Sequence, residues 1–298
     1  MIYGLKKIVK YTLGKDIAGR YLSVYPDDTF LVSYPRSGNT WTRFLVANLL
    51  HPDQPATFDN IESLVPDTEA QSNRTLKRVP RPRFIKSHEY FDHRYRRVIY
   101  IVRDPRDVAL SYYDFDRKYG HIPDGYGLER FVDDFVNGRL TSVDWGTWGE
   151  NVASWVYTRG QSKDFLLLRY EDMIADTGSQ LARLAVFLGV DSSRERLENA
   201  TERSSLQRMQ RLEKVSEDKW VSTRNRRKDI PFVRTGRAGA WQAALPLPCI
   251  AAIEAAWRPI MIQLGYVLTV ADGSGAAQNR TAVQKEGLIS HPMQASST

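Results

Sequence analysis

The 298-residue chain has a single cysteine, Cys249. A disulfide within the chain is therefore impossible, and a zinc site built on cysteines is excluded. Beside Ile250, Cys249 reads as a small buried apolar residue. No run is apolar for long enough to span a bilayer. The opening MIYGLKKIVKYTLGK lacks the apolar core and small-residue cleavage site of a secretory signal. Its lysines interleave with apolar residues, which predicts a short basic amphipathic helix. The expectation is a cytoplasmic protein. The chain also lacks internal repeats, zinc-ligand spacing and any nucleic-acid recognition motif, so no nucleic-acid partner is expected. One further absence bears directly on function. TFLVSYPRSGNTWTRFLVANLL, Thr29 to Leu50, reads as strand, polar turn and helix, yet it has no Gly-Lys-Ser/Thr ending of a Walker A loop.

What is present suits one large α/β domain, expected over residues 1–270. Hydrophobic residues make up 42% and charged residues 26%. The net charge of +7 attracts anions without saying which. Apolar strands are expected at Phe30–Tyr34, Arg83–His88 and Arg96–Asp104, and a fourth ends at Tyr170 and Glu171. Helical patterns alternate with them. This predicts a three-layer α/β fold, a central parallel sheet with helices on both faces and a P-loop-like strand–loop–helix phosphate site. Gly189 is placed to cap a helix end. The closing helix LPCIAAIEAAWRPIMIQLGY is expected to bend at Pro259. Thr201 to Arg237 is basic and weakly patterned. Residues 271–298 are polar and almost free of core residues, so a disordered tail is expected.

Two strand–loop–helix units have the makings of anion sites. In the first, Ser37, Gly38, Asn39 and Thr40 open a helix, whose leading amides have no internal partner and sit at the positive end of the dipole. Gly38 allows close approach, Ser37 and Thr40 add hydroxyls, and Arg36 adds charge. The plain alternative is an ordinary helix cap with a solvated arginine. In the second unit, Arg103 ends a strand and Ser111 lies two turns into the next helix. Here the plain alternative is an Arg103–Asp107 ion pair. Two such units suggest a ligand with phosphates in two places. A kinase would need a lysine at the loop's end and usually magnesium ligands. A nucleic-acid-binding protein would use the basic surface alone.

Taken together the units resemble the PAPS-dependent sulfotransferases of the cytosolic type, whose donor, 3'-phosphoadenosine 5'-phosphosulfate, carries a 5' phosphosulfate and a separate 3' phosphate. The family's Tyr-Pro-Lys-Ser-Gly-Thr-Thr-Trp appears as YPRSGNTW, Tyr34–Trp41, and its 3' motif as IVRDPRDVALSYY. RFIKSH, TWGENVASW, RYEDM and PFVRTGRAGAW follow in family order. The resemblance runs from about Thr29 to Trp241.

It implies that Arg36 takes the place of the catalytic lysine and that Ser37, Gly38, Asn39 and Thr40 hold the 5' phosphosulfate. Trp41 and Tyr170 would contact the adenine, with Ser204 and Leu206 nearby. Arg103 and Ser111 would bind the 3' phosphate, under a loop of Arg234, Thr235 and Gly236. His88 matches the general base and Lys86 its neighbouring lysine. The other four histidines, His51, His93, His121 and His291, have no comparable setting. No metal is implied. Arg36 for lysine trades a compact ammonium for a planar fork. Leu206 replaces a phenylalanine, Thr235 a lysine and Ala240 an aspartate; Arg237 can restore the lost charge. The acceptor is expected to be a small molecule bearing a hydroxyl or amine, in a pocket shaped by residues 54–82 and 119–148. Tyr112, Tyr113 and Phe115 either line it or pack, and Trp145, Trp148 and Trp155 are assigned to the core. RNRRK, Arg224–Lys228, is either a solvated loop or a basic flap. Glu171 and Asp172 are read as a strand-end loop that orders Tyr170. The dimer motif of some animal members is not evident, which leaves the oligomeric state open.

Overall fold

The computed structural model describes residues 17–140, 145–216, 220 and 223–270. The expected N-terminal amphipathic helix and C-terminal tail lie outside the described residues.

Four strands, β1 (Thr29–Ser33), β2 (Phe84–Ser87), β3 (Arg97–Val102) and β4 (Phe165–Arg169), form one parallel sheet in the order β2-β1-β3-β4. Parallel neighbours need crossovers, and helices supply them. Along the chain these are α1 (Asn39–Leu50), α2 (Pro105–Tyr119), α3 (Leu128–Val136), α4 (Trp148–Arg159), α5 (Tyr170–Ala175), α6 (Thr177–Leu188), α7 (Arg194–Arg203), α8 (Leu206–Ser216) and α9 (Leu247–Gln263), besides single-turn pieces.

Successive strand residues point to opposite faces. Phe30, Val32, Val98, Tyr100 and Val102 enter one core with residues of α2, α3, α4 and α9, Cys249 among them. Leu31, Ile99, Ile101 and Leu168 enter the other with residues of α1 and α6. Both faces are covered, which is why β1 is buried along its whole length.

The strand order fixes where the site lies. The chain leaves β1 for β2 on one side, then returns to β3 on the other. A crevice opens outside the carboxyl ends at such a switch point. Arg36 leaves β1 and Arg103 leaves β3 at that place.

Two local expectations change. β4 stops at Arg169 and Tyr170 opens α5, so Glu171 and Asp172 sit on a helix's first turn rather than in a loop. Glu171 still anchors the neighbourhood, accepting from the Asp104 amide at 2.9 Å and the Tyr266 hydroxyl at 3.2 Å. The weakly patterned stretch after Thr201 contains α8, which buries Met209, Glu213 and Ser216. Its apolar face is too sparse to stand out from sequence. α9 is irregular at Trp257, two residues before Pro259, in keeping with the expected bend. Gly189 ends α6 at φ +71° as expected.

Candidate active site

A cavity of about 620 Å³ opens at the switch point. Its lining includes Arg36, Gly38, Asn39, Thr40, Trp41, Lys86, His88, Arg103, Ser111, Tyr170, Ser204, Leu206, Arg234, Thr235 and Gly236. Ser37 is fully buried in the turn beside it.

The turn after β1 is held in an uncommon shape. Arg36 has φ +68° and Gly38 φ +96°. A Cβ on Gly38 would lie 2.5 Å from the Tyr170 ring, so only glycine fits there. Gly38 gives α1 no side-chain cap. Asn39 reaches back, its Nδ2 donating to the Ser33 hydroxyl at 3.1 Å. Ser37 Oγ and Asn39 Oδ1 are buried without any hydrogen-bond partner. Buried polar atoms normally have partners. The Ser37 hydroxyl is a donor and sits where an anionic group would accept from it; the Asn39 oxygen is an acceptor and is not served by an anion.

Arg36 Nε donates to Ser111 Oγ at 3.2 Å. Its Cζ lies 4.7 Å from the centre of the Phe115 ring and 5.0 Å from that of Phe232. Burial draws the guanidinium down to about 10, which leaves it charged at neutral pH. Arg103 crosses the crevice, donating to the carbonyls of Arg36 at 3.2 Å and Arg237 at 3.1 Å, with its Cζ 4.3 Å from the centre of the Tyr170 ring. Its Nε has no partner. Asp107 is 3.9 Å from Arg103, but its oxygens accept from the amides of Gly239 at 2.7 Å and Trp241 at 3.1 Å. The plain ion-pair alternative therefore describes the lesser part of what Asp107 does.

Beside Gly38, Tyr170 meets Trp41 edge to face at 5.9 Å. The Trp41 indole donates to the Ser204 carbonyl at 3.0 Å. The Ser204 hydroxyl is already taken by Asn48 Nδ2 at 3.0 Å, so Ser204 serves the cavity by holding Trp41. Leu206 packs against Gly236, where an added Cβ would meet it at 3.4 Å. Arg234 pairs with Asp114 at 2.9 Å.

His88 lies just past β2. Its Nδ1 is 2.7 Å from the Ser33 carbonyl, so Nδ1 carries the proton and Nε2 is left as the basic atom. Burial first, and the Lys86 charge second, pull the imidazole down to about 3. Lys86 is not free to swing: its ammonium is 2.8 Å from Asp67 in a buried ion pair. That attraction holds the Asp67 carboxyl below its usual range despite burial. Tyr112, Phe115, Tyr119 and Trp145 line this end. Trp145 stands edge-on to His88 at 6.4 Å, so it belongs to the cavity rather than the core, whereas Trp148 and Trp155 are core residues. Tyr113 packs. Within RNRRK, Arg226 stacks on Tyr119 at 4.4 Å and Arg227 pairs with Asp124 and Asp229.

Residues 26–265 match the sulfotransferase domain family. The chain belongs to it. Sulfotransferase 1E1 of Bos taurus is 28% identical over 232 residues, spanning 73% of this chain and 77% of the relative. The amine sulfotransferase of Oryctolagus cuniculus is 24% identical over 229 residues, spanning 72% and 74%. Among solved structures, retinol dehydratase in complex with androsterone and the inactive cofactor PAP superposes with a TM-score of 0.67 at 21% identity, covering 82% of this chain and 83% of that one. Mouse sulfotransferase SULT7A1 complexed with PAP gives 0.64 at 22%, covering 89% and 92%.

The sulfotransferase thus brings every residue assigned from sequence to catalysis or to the donor to one cavity, with Ser37 at its wall. Sequence reasoning missed Phe232, which faces Arg36, and Glu213, and read Asp107 only as a partner of Arg103; Glu213 and Asp107 hold the backbone on either side of Arg234–Gly236, at Phe232 and at Gly239. No spacing signal marks such contacts, because their partners are backbone amides or come from distant segments. Among the described residues no helix is long and apolar enough to cross a membrane, and no cluster of three His, Cys, Asp or Glu side chains could hold a metal ion.

Proposed function

We propose that this sulfotransferase, one domain through residue 270, moves the sulfuryl group of PAPS onto a hydroxyl or amine of a small molecule, with His88 as general base. The observation that carries the reading is the meeting, in one cavity, of an unfilled anion cradle, a second arginine, Arg103, with Ser111 on the same lining, and an oriented neutral histidine. The orphaned Ser37 hydroxyl, the glycine-shaped turn and Arg36 fit a 5' phosphosulfate. Arg103 and Ser111, under the Arg234–Gly236 loop, fit a 3' phosphate. Trp41, Tyr170 and Leu206 fit an adenine between them.

PAPS supplies the activated sulfuryl group and its phosphate leaving group. The protein's part is to align and to stabilise charge. The amides opening α1 and the Ser37 hydroxyl hold the donor end. Ser33 fixes the His88 tautomer, so Nε2 accepts the acceptor's proton as its oxygen or nitrogen attacks. The negative charge of bound PAPS favours the imidazolium, countering the burial that keeps His88 neutral beforehand. Arg36 stabilises the charge that develops on the departing oxygen. Lys86, held by Asp67, adds positive potential from a fixed place.

At the acceptor end the cations are already matched. Lys86 is paired with Asp67 at 2.8 Å and Arg43 with Glu62 at 3.0 Å. With aromatic side chains also lining this end, this favours an uncharged ring-bearing acceptor, and retinol dehydratase, of like fold, is known in complex with androsterone and PAP. We place the protein in the cytoplasm, as for the cytosolic type.

The test is transfer of label from sulfur-35 PAPS to panels of phenols, steroid alcohols and amines, with EDTA present. Labelled product with matching PAP is expected. Transfer of phosphate from ATP that requires magnesium, with no sulfated product, would replace this reading with a kinase.

A further inference from the structure

Arg36 stands where the family has a lysine, and a planar guanidinium is set by the faces around it as well as by its acceptors. Phe115 and Ser111 both come from α2, one turn apart, and give it one ring and one acceptor. The second ring, Phe232, comes from the segment 230–241 that passes over the proposed 3'-phosphate end of the cavity. Buried carboxylates tie that segment near both ends. Glu213 of α8 accepts from the amides of Phe232 at 2.6 Å and Val233 at 2.8 Å. Asp107 of α2 accepts from Gly239 at 2.7 Å and Trp241 at 3.1 Å. The Phe232 ring is braced in turn, perpendicular to Trp220 with centroids 4.9 Å apart, and Trp220 rests on Phe58 at 4.4 Å. Between the two ties run Arg234, Thr235, Gly236 and Arg237, all on the cavity.

We infer that Phe232 is a positioning residue for Arg36: the strap that encloses the nucleotide also carries the ring that sets the catalytic guanidinium. The inference rests on the role given to Arg36 above. A compact ammonium at position 36 has no flat face to register, so the ring's effect on orientation is particular to the arginine.

The experiment reads arginine Nε–H resonances of the full-length protein in nitrogen-15 spectra, with Arg36 assigned by its loss in Arg36→Lys. Shielded between two rings, the Arg36 proton is expected upfield and slow to exchange. Phe232→Leu should move it towards the exposed-arginine position and speed its exchange about fivefold, the loss of one desolvated cation–ring contact. Phe232→Tyr keeps the ring and should keep the signal. PAP binding shows that each variant is folded, and Phe232→Tyr should bind PAP within about twofold of the natural protein, since it keeps the ring. If Phe232→Leu does not bind PAP, Phe232→Met is read in the same way. An Arg36 resonance unmoved by the aliphatic variant overturns the inference. Wild-type protein that binds PAP no better than AMP overturns the functional reading instead, and the two failures appear in different measurements.

Discussion

After β1 the chain enters α1 through Gly38, which has no side chain to cap the helix, and the residues that open the helix line the cavity. After β3 it enters α2 through Asp104, whose carboxylate accepts from the Arg106 amide at 2.9 Å, with Pro105 next in line. The two turns share a plan, and the difference lies in who completes them. The first has no carboxylate of its own and leaves the Ser37 hydroxyl, a donor, unpartnered. The second is closed by its own carboxylate, which would repel an anion at the helix end. An anion there must instead be gripped by side chains, Arg103 and Ser111. On the proposed reading, the β1 end binds through backbone shape and the β3 end through removable charge.

The largest effect should fall outside both turns. His88→Ala is expected to lower kcat by about 10²–10⁴-fold while PAP affinity by calorimetry barely changes. Loss of PAP binding in step with activity would merge chemistry and nucleotide binding, and the division drawn here would fail. Gly38→Ala should break the backbone-built end. Its φ of +96° and the 2.5 Å approach to Tyr170 leave no room for a methyl group. Binding of PAP and of AMP should fall together, by about 100-fold. Arg103→Ala should act on one phosphate only. PAP is expected to weaken by about 30-fold, the worth of a charged hydrogen bond, with AMP almost unaffected. Equal losses for PAP and AMP would reject the 3'-phosphate assignment.

The smaller effects sharpen the same contrast. Ser37→Ala removes a buried hydroxyl that lacks a partner, so thermal stability should hold or rise slightly while PAP weakens about fivefold. A drop in both would mean that the hydroxyl serves the fold. His88 adds a dependence on pH. Burial, then Lys86, lowers its pKa from 6.5 to about 3, so the native protein keeps it neutral where the unfolded chain takes up a proton. Its effect on stability is absent above pH 6.5 and grows as a loss while pH falls from 6.5 towards 3. Melting curves at pH 7 and 5 should show a smaller difference in His88→Gln than in the natural protein.

The parallel sheet was legible because its strands are apolar on both faces and end in Pro35 and Pro105. The cradle was legible because Ser37–Thr40 lie at a strand–helix junction, where local sequence decides geometry. Arg103 was ambiguous from sequence, since Asp107 four residues on offers an obvious partner, and only the fold brings Gly239 and Trp241 to claim that carboxylate. Lys86 was read for its charge, but Asp67 reaches it through a single parallel bridge beside β2, a contact without local signature. α8 was missed because its exposed face carries most of its residues. Phe232 was beyond reach for another reason. Its partner at position 36 lies nearly the length of the domain away in sequence, and only the folded strap joins them.

The most direct test of the central claim, one cavity with two separate phosphate ends, is calorimetric titration of the protein with adenosine 3',5'-bisphosphate against AMP, without magnesium. The account predicts that the added 3' phosphate tightens binding by at least about 30-fold. Equal affinities would contradict it.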